Sequence, residues 1–231
     1  MASVKNMPEK DDGSTKPLKA EAESRIVEVD KIITFHDVDD PDMWVRSGPP
    51  RAPIALVEHD PSWFEQYSQL SDQILAVLGP TAMGIEHVGS TSVPGLAAKP
   101  IIDIALVVPD PGEETAYRPR LNSIDFELVL REPAWYQHRM FKHIDAGTGN
   151  SLTPMCNLHV FGPRCSEIAR MRMFRDRLRS HPGDRDRYQN VKLRSVAEAN
   201  AAGETVMEYN ARKHDVIRDI YRSIFRAEGW I

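Results

Sequence analysis

A chain of 231 residues with 27% charged and 41% hydrophobic side chains and a net charge of −5 has the composition of an ordinary water-soluble globule with one sizeable core. No apolar run reaches the length of a membrane span, and residues 1–18 lack the apolar stretch of a secretory signal. Two cysteines, Cys156 and Cys165, are too few for a disulfide framework and poorly spaced for zinc, so a cytoplasmic protein with buried thiols is expected. The charge is uneven. Residues 170–194 hold nine Lys or Arg and three Asp, an excess of +6, which leaves −11 for the remainder. Such a stretch suits phosphate or nucleic acid, or forms solvated pairs with acids on the same helix.

Residues 1–25 are rich in Lys, Glu, Asp, Ser and Pro and cannot offset their own ordering entropy, so a disordered tail is expected. Residues 26–53 read as an appendage with a short strand over 32–35 and a break at Pro49-Pro50, and the main domain runs over 54–231. There, residues 54–57 read as a strand or extended lead-in. Asp60-Pro61 then opens a helix to Leu78, along which Trp63, Phe64, Tyr67, Leu70, Ile74, Leu75 and Leu78 recur every three or four positions. Strands are predicted over 83–88 and 101–108, a helix over 113–123 and a strand over 126–130. Residues 136–144 and 156–161 read as paired strands joined through a turn at 147–150, and helices follow over 164–178, 185–202 and 205–225. This order predicts an α/β or α+β domain: a mixed sheet with flanking helices and a C-terminal helical segment.

The chemistry concentrates in Glu86-His87-Val88-Gly89-Ser90-Thr91-Ser92, followed by Lys99 and, with twelve residues between it and Ser90, Asp103 on a buried strand. Gly89 lets backbone approach a ligand, Ser90, Thr91 and Ser92 offer hydroxyls, and Lys99 offers a cation, which together make an anion-binding turn facing a carboxylate. Hydroxyls in such turns also commonly bond their own backbone. Two-metal phosphoryl transfer needs clustered acids, but Asp103-Ile104-Ala105 supplies one, with Glu86 the nearest second. A single Mg²⁺ on Asp103 and a substrate phosphate is the metal option. Without metal, acyl transfer from an activated ester needs a nucleophile, a proton acceptor and oxyanion donors, for which Ser90, His87 or His159, and the turn are the candidates. Arg139 and Lys142 on a strand could meet phosphate or carboxylate, and Arg175, Arg179, Arg185 and Lys192 could form an electrostatic track for nucleic acid.

The Gly-Ser turn ahead of an acidic strand resembles the signature of the GrpB family, a branch of the nucleotidyltransferase-like superfamily. Trp135-Tyr136-Gln137-His138-Arg139, Asn157-Leu158-His159-Val160-Phe161 and Phe174-Arg175-Asp176-Arg177-Leu178-Arg179 carry the resemblance onward, over roughly 54–225. It implies a nucleotidyltransferase-like fold, with Ala105 standing where the superfamily places a second acid. Fungal relatives of this type include arginine-containing cyclodipeptide synthases, which condense aminoacyl groups delivered on tRNA. The missing acid, the hydroxyl-rich turn and the basic stretch are compatible with that branch. The implied partners are aminoacyl-tRNAs including arginyl-tRNA, with the guanidinium near Glu86, Asp103 or Glu132, and no cofactor or ATP in that step. Two alternatives stand beside it: Mg²⁺-dependent nucleotidyl transfer from a nucleoside triphosphate with Asp103 as metal ligand, and a non-enzymatic module that binds a nucleotide or phosphorylated ligand.

Overall fold

A computed structural model describes residues 15–16, 27–36, 42–45, 48, 53–143 and 156–231. Six strands form one sheet in the order β1-β2-β3-β6-β5-β4. They are β1 (Thr15–Lys16), β2 (Gly84–Val88), β3 (Ile102–Val107), β4 (Phe126–Glu132), β5 (His138–His143) and β6 (Cys156–Phe161). The β3 and β6 strands run parallel and every other neighbouring pair is antiparallel, which is the mixed sheet the sequence predicts. The helices are α1 (Val29–Ile33), α2 (Ser62–Leu78), α3 (Arg118–Asn122), α4 (Ser166–Ser180), α5 (Pro182–Ala202), α6 (Val206–Ala211) and α7 (His214–Ala227). Among the described residues no helix is long and apolar enough to cross a membrane.

Successive strand residues point to opposite sheet faces, and here both faces are covered. On one side Trp63, Tyr67, Leu70, Ile74 and Leu78 of α2 and Leu121 of α3 pack on Ile85, Ile104, Leu106, Phe126, Phe141, Leu158 and Val160 in a single apolar cluster. Of the stripe read from the helical periodicity of α2, Trp63, Tyr67, Leu70, Ile74 and Leu78 are buried and Phe64 and Leu75 partly so. On the other side α4 crosses β2, and behind it Leu178, Tyr188, Val191, Ile220, Tyr221, Ile224 and Phe225 of α4, α5 and α7 make a second cluster with Val93 and Leu96.

The structure departs from the sequence reading at element ends. Residues 32–35, expected as a strand, belong partly to α1, and Ile32 is buried in the second cluster. Buried Arg170 fixes this segment to α4 by donating to the carbonyls of Lys31, Ile32 and Thr34 at 3.0, 3.0 and 3.1 Å. Residues 54–57 form no strand beyond the isolated bridge between Val57 and Ala98. The helix expected over 113–123 divides into a 3-10 turn at Glu114–Ala116 and α3, because buried Tyr117 leaves the helical conformation to donate its hydroxyl to Pro111 O at 2.6 Å. The helix expected over 205–225 likewise divides. A Thr205–Glu208 capping box starts α6, and the chain turns at Lys213 before α7. Strand β5 starts at His138 rather than at 136 because Tyr136 and Gln137 hold φ of 54° and 53°, outside any strand. The turn expected at 147–150 lies outside the described residues, as does most of the expected tail.

Candidate functional site

Alternation sorts the motif between the two faces. Ile85 and His87 of β2 and Ile102 and Ile104 of β3 face α2, so Val88, Asp103, Ala105, Asn157 and His159 face the other way, with Val88 paired to Asp103, Asp103 to Asn157 and Ala105 to His159. Lys142 sits opposite Asn157, and Glu132 opposite His138 at the next strand pair. One sheet face therefore gathers a carboxylate, an amide, two histidines, a lysine and a second carboxylate.

The hydroxyl-rich turn closes over this face. Gly89 has φ of 70°, and a Cβ placed on it would lie 2.8 Å from Asp103 Cβ and 2.9 Å from its Cγ, so only glycine fits. Ser92 donates to Gly89 O at 2.6 Å, and Thr91 bonds His87 Nε2 at 3.0 Å, so these two hydroxyls build the turn. Ser90 hydrogen-bonds the Tyr188 hydroxyl instead of the turn's own backbone. Helices clamp the turn from outside. Arg179 donates to Ser92 O at 3.0 and 2.7 Å from Nε and Nη2, Gln189 accepts from Ala97 N at 3.0 Å, and Lys192 donates to Ala97 O at 2.5 Å.

Across the floor runs a chain of hydrogen bonds. Glu132 Oε2 lies 2.7 Å from His138 Nδ1, and His138 Nε2 lies 3.1 Å from His159 Nδ1, with the two rings stacked 5.2 Å apart. His159 Nε2 is 3.9 Å from Asp103 Oδ1, and Asn157 Nδ2 donates to that oxygen at 2.8 Å. Burial pulls His138 down to about 4 against the opposing hydrogen bond from Glu132, so its ring is neutral at neutral pH. The Glu132 carboxylate accepts from His138 Nδ1, so His138 Nε2 is left to accept from His159 Nδ1, and His159 Nε2 is turned toward Asp103 and solvent. For Asp103, burial works upward, but nearby His159, the hydrogen bond from Asn157 and the charge of Lys99 outweigh it and hold the carboxyl below its usual range. The side chains of Asp103 and His159 stay 28% and 20% exposed, whereas that of His138 is 4% exposed, so the first two are the open end of the chain.

Above Asp103 lies a group of lysines. Lys213 Nζ sits 4.0 Å and Lys99 Nζ 5.5 Å from the ring centroid of Tyr209, and Lys192 Nζ 5.3 Å from that of Tyr188. Lys192 and Lys213 are 2% and 7% exposed. Burial, then the charges of the neighbouring lysines, bring both down to about 7, and burial lowers Lys99 and Lys142 as well.

Several expected site residues are placed elsewhere. His87 faces α2, fully buried, stacked on Tyr67 with ring centroids 4.7 Å apart and held by burial at about 3, so it packs the core and cannot reach Asp103's side of the sheet as a base. Arg139 also points to the α2 side, where it donates to Glu114 at 2.7 Å. Glu86 faces α4, and Arg172 and Arg175 occupy it, the latter at 3.3 Å. The expected track is not a surface: Arg175 and Lys192 are buried, Arg179 clamps the turn, and Arg185 is half-buried. No group of three His, Cys, Asp or Glu able to hold a metal exists among the described residues, so any ion here would rest on Asp103 with substrate oxygens. A cavity of 490 Å³ between α2 and the β4–β5 edge, lined by Gln66, Gln69, Gln73, Asp125 and His143, lies on the apolar side and carries no comparable set. Among the site residues given no role in the sequence analysis are His138, Lys213 and Tyr209. His138 alone had a local signal, since it alternates with Met140 and Lys142 on the Asp103 face.

The family profile described as GrpB protein matches residues 53–223. UPF0157 protein BH1888 of Halalkalibacterium halodurans is 44% identical over 174 residues, 75% of this chain and 84% of that protein. UPF0157 protein SCO7215 of Streptomyces coelicolor is 36% identical over 173 residues, 75% of this chain and 85% of that one. A dephospho-CoA kinase of Mycolicibacterium paratuberculosis shares 30% identity over 205 residues, 78% of this chain but 47% of that longer protein. The crystal structure of the conserved protein GrpB from Enterococcus faecalis superposes with a TM-score of 0.63 at 25% identity, covering 75% of this chain and 99% of that one. With three quarters of its length shared in sequence and in architecture, the chain belongs to the GrpB family.

Proposed function

We propose that the chain is an aminoacyl transferase that condenses an arginyl group delivered on tRNA with a second aminoacyl group to give a cyclodipeptide. One observation carries the reading: His159 turns Nε2 toward Asp103 at 3.9 Å while its Nδ1 is linked through His138 to Glu132, on a sheet face where Ala105 stands in place of a second acid. Aminolysis of an ester needs a proton acceptor and a stabilised oxyanion rather than paired carboxylates. The α-amine of one aminoacyl group attacks the ester carbonyl of the other. A C–N bond forms, the C–O bond to the ribose breaks, and the amine proton passes to His159 and then to the departing ribose oxygen. Asp103 stabilises the imidazolium in between, and Ser90 donates to the carbonyl oxygen. A second, intramolecular repeat closes the ring and frees the other tRNA. Of the carboxylates expected to meet the guanidinium, Glu86 is occupied by Arg172 and Arg175 and Glu132 by His138, which leaves the Oδ2 of Asp103, since its Oδ1 accepts from Asn157.

The density of lysines near Asp103 favours a second reading, nucleotidyl transfer from a nucleoside triphosphate with Mg²⁺ held by Asp103 and the phosphates. Incubation with a mixed aminoacyl-tRNA pool, without nucleoside triphosphate, separates the two by mass spectrometry. An arginine-containing diketopiperazine is the expected product. Mg²⁺-dependent consumption of a triphosphate with no diketopiperazine overturns the first reading in favour of the second, and saturable binding with neither product means a ligand-binding module.

A further inference from the structure

We propose that Lys99, Lys192 and Lys213, enclosed by Tyr188 and Tyr209, form a subsite for the phosphate group of a nucleotide. Three ammonium groups reach this corner from three separate segments: the loop before β3, the middle of α5 and the junction of α6 and α7. Two of them are almost wholly buried. Among the described residues no carboxylate lies within ion-pair distance of any of the three; Lys192 instead donates to Ala97 O at 2.5 Å and Lys213 to Asn210 Oδ1 at 2.9 Å. Burying a cation without a counter-charge is costly, and a corner shaped for stability alone would hold leucine or methionine there. The cost is understandable if an anion completes the set.

The facing groups set the sign of the ligand's charge. Asp103 on β3 is the one carboxylate in electrostatic reach of all three lysines, and it is already bonded by Asn157. Half-buried Lys142 on β5, His159 on β6, Tyr188 on α5 and Tyr209 on α6 complete the surroundings. With Lys142 these are four lysines against one carboxylate, a positive corner that a phosphate group complements. Tyr209 is fully buried and its hydroxyl has no hydrogen-bond partner among the described residues, an unspent donor in the same corner. Ser90 and Gly89, which lies against Asp103, border the corner and would bring the phosphate-bearing end of a nucleotide next to the reacting groups. The subsite serves either donor considered above, so it stands apart from the choice between them.

An anion seated here restores the charge of Lys192 and Lys213, which burial and mutual repulsion have lowered to about 7, and so draws protons from solvent on binding. Calorimetry on the full chain, in two buffers of different ionisation heat, reads that uptake. The probes are ATP and a short RNA ending in CCA, which distinguish a free nucleotide from the end of a tRNA. The expected result is saturable binding of at least one probe, uptake of more than one proton at pH 8 and far less at pH 6, and at least tenfold weaker binding in Lys192→Met and Lys213→Met. The methionine variants remove buried charge at similar volume and should melt no lower than the parent; should one unfold, the other and the parent's proton uptake carry the test. Absence of binding for both probes, equal uptake at the two pH values, or unchanged affinity in both variants overturns the proposal. Binding with this signature but no diketopiperazine leaves the subsite standing and removes the acyl-transfer reading alone.

Discussion

The two faces of one sheet solve opposite problems with adjacent residues. Facing α2, β2 contributes Ile85 and His87, and the histidine there is wrapped by Tyr67, Phe64 and Thr91 until it behaves as a flat, neutral core group. Two positions on, just past the strand's end, Gly89 presses on Asp103, and the opposite face collects carboxylate, imidazole and ammonium groups whose mutual partners are incomplete. The first face lowers the free energy of the fold. The second concedes some of it, which is the usual mark of a surface shaped for a ligand.

Substitutions break this comparison in a defined order. Gly89→Ala should have the largest effect, because the new Cβ falls within the Asp103 side chain and the residue must hold φ of 70°. Loss of activity together with about 2–4 kcal/mol of stability in denaturant melts is the expected outcome. Asp103→Asn comes next: turnover should fall at least about 100-fold while the melting temperature changes little, since Asn157 can still bond the amide. Unchanged turnover would reject the site. Glu132→Gln should be milder, about tenfold in kcat with KM nearly constant, and should displace the pH–rate profile, because it acts by fixing the tautomer of His138 and through it of His159. A merely structural Glu132 would alter stability and leave the profile in place.

Stability against pH sharpens the comparison without any substrate. On the α2 face His87 is held at about 3, and in the relay His138 is held at about 4, both below the 6.5 of an unfolded histidine. The unfolded chain therefore binds more protons, and stability falls as pH drops below about 6.5, levelling near 3–4. Lys192 and Lys213, at about 7 against 10.5 unfolded, act in another window: the unfolded chain again holds more protons, so stability climbs as pH rises from about 7 to 10.5. Each limb should have a slope near about 1.4 kcal/mol per pH unit for each group. His87→Phe should reduce the slope of the acid limb by about half and Lys192→Met that of the alkaline one, by thermal melts across the range.

The sheet, the α2 stripe and the Gly89–Asp103 apposition were legible because each is written in local pattern: alternation, helical period, and a glycine-serine turn before an acidic strand. His87 was misread as a site residue because alternation separates neighbours without saying which face is which, whereas Glu86 shares the Asp103 face but is occupied by Arg172 and Arg175 of α4. Arg139 was misread for the same reason as His87. Lys213 and Tyr209 carried no signal at all. They come from helices more than a hundred residues beyond the turn, and only the packing of α5 to α7 over the sheet brings them to Lys99. Lys192 and Arg175 looked like surface charge because an arginine-rich helix reads as solvated whether its cations face water or a buried acid.

The central claim, that the Asp103 face does the chemistry and the α2 face only supports it, meets its most direct test in a matched pair of variants, His159→Ala and His87→Ala, assayed for diketopiperazine from arginyl-tRNA and a second aminoacyl-tRNA. The account predicts that His159→Ala folds and makes no product, while His87→Ala is destabilised by about 3 kcal/mol yet keeps its turnover per folded molecule. Product retained in the first and lost from folded protein in the second would contradict it.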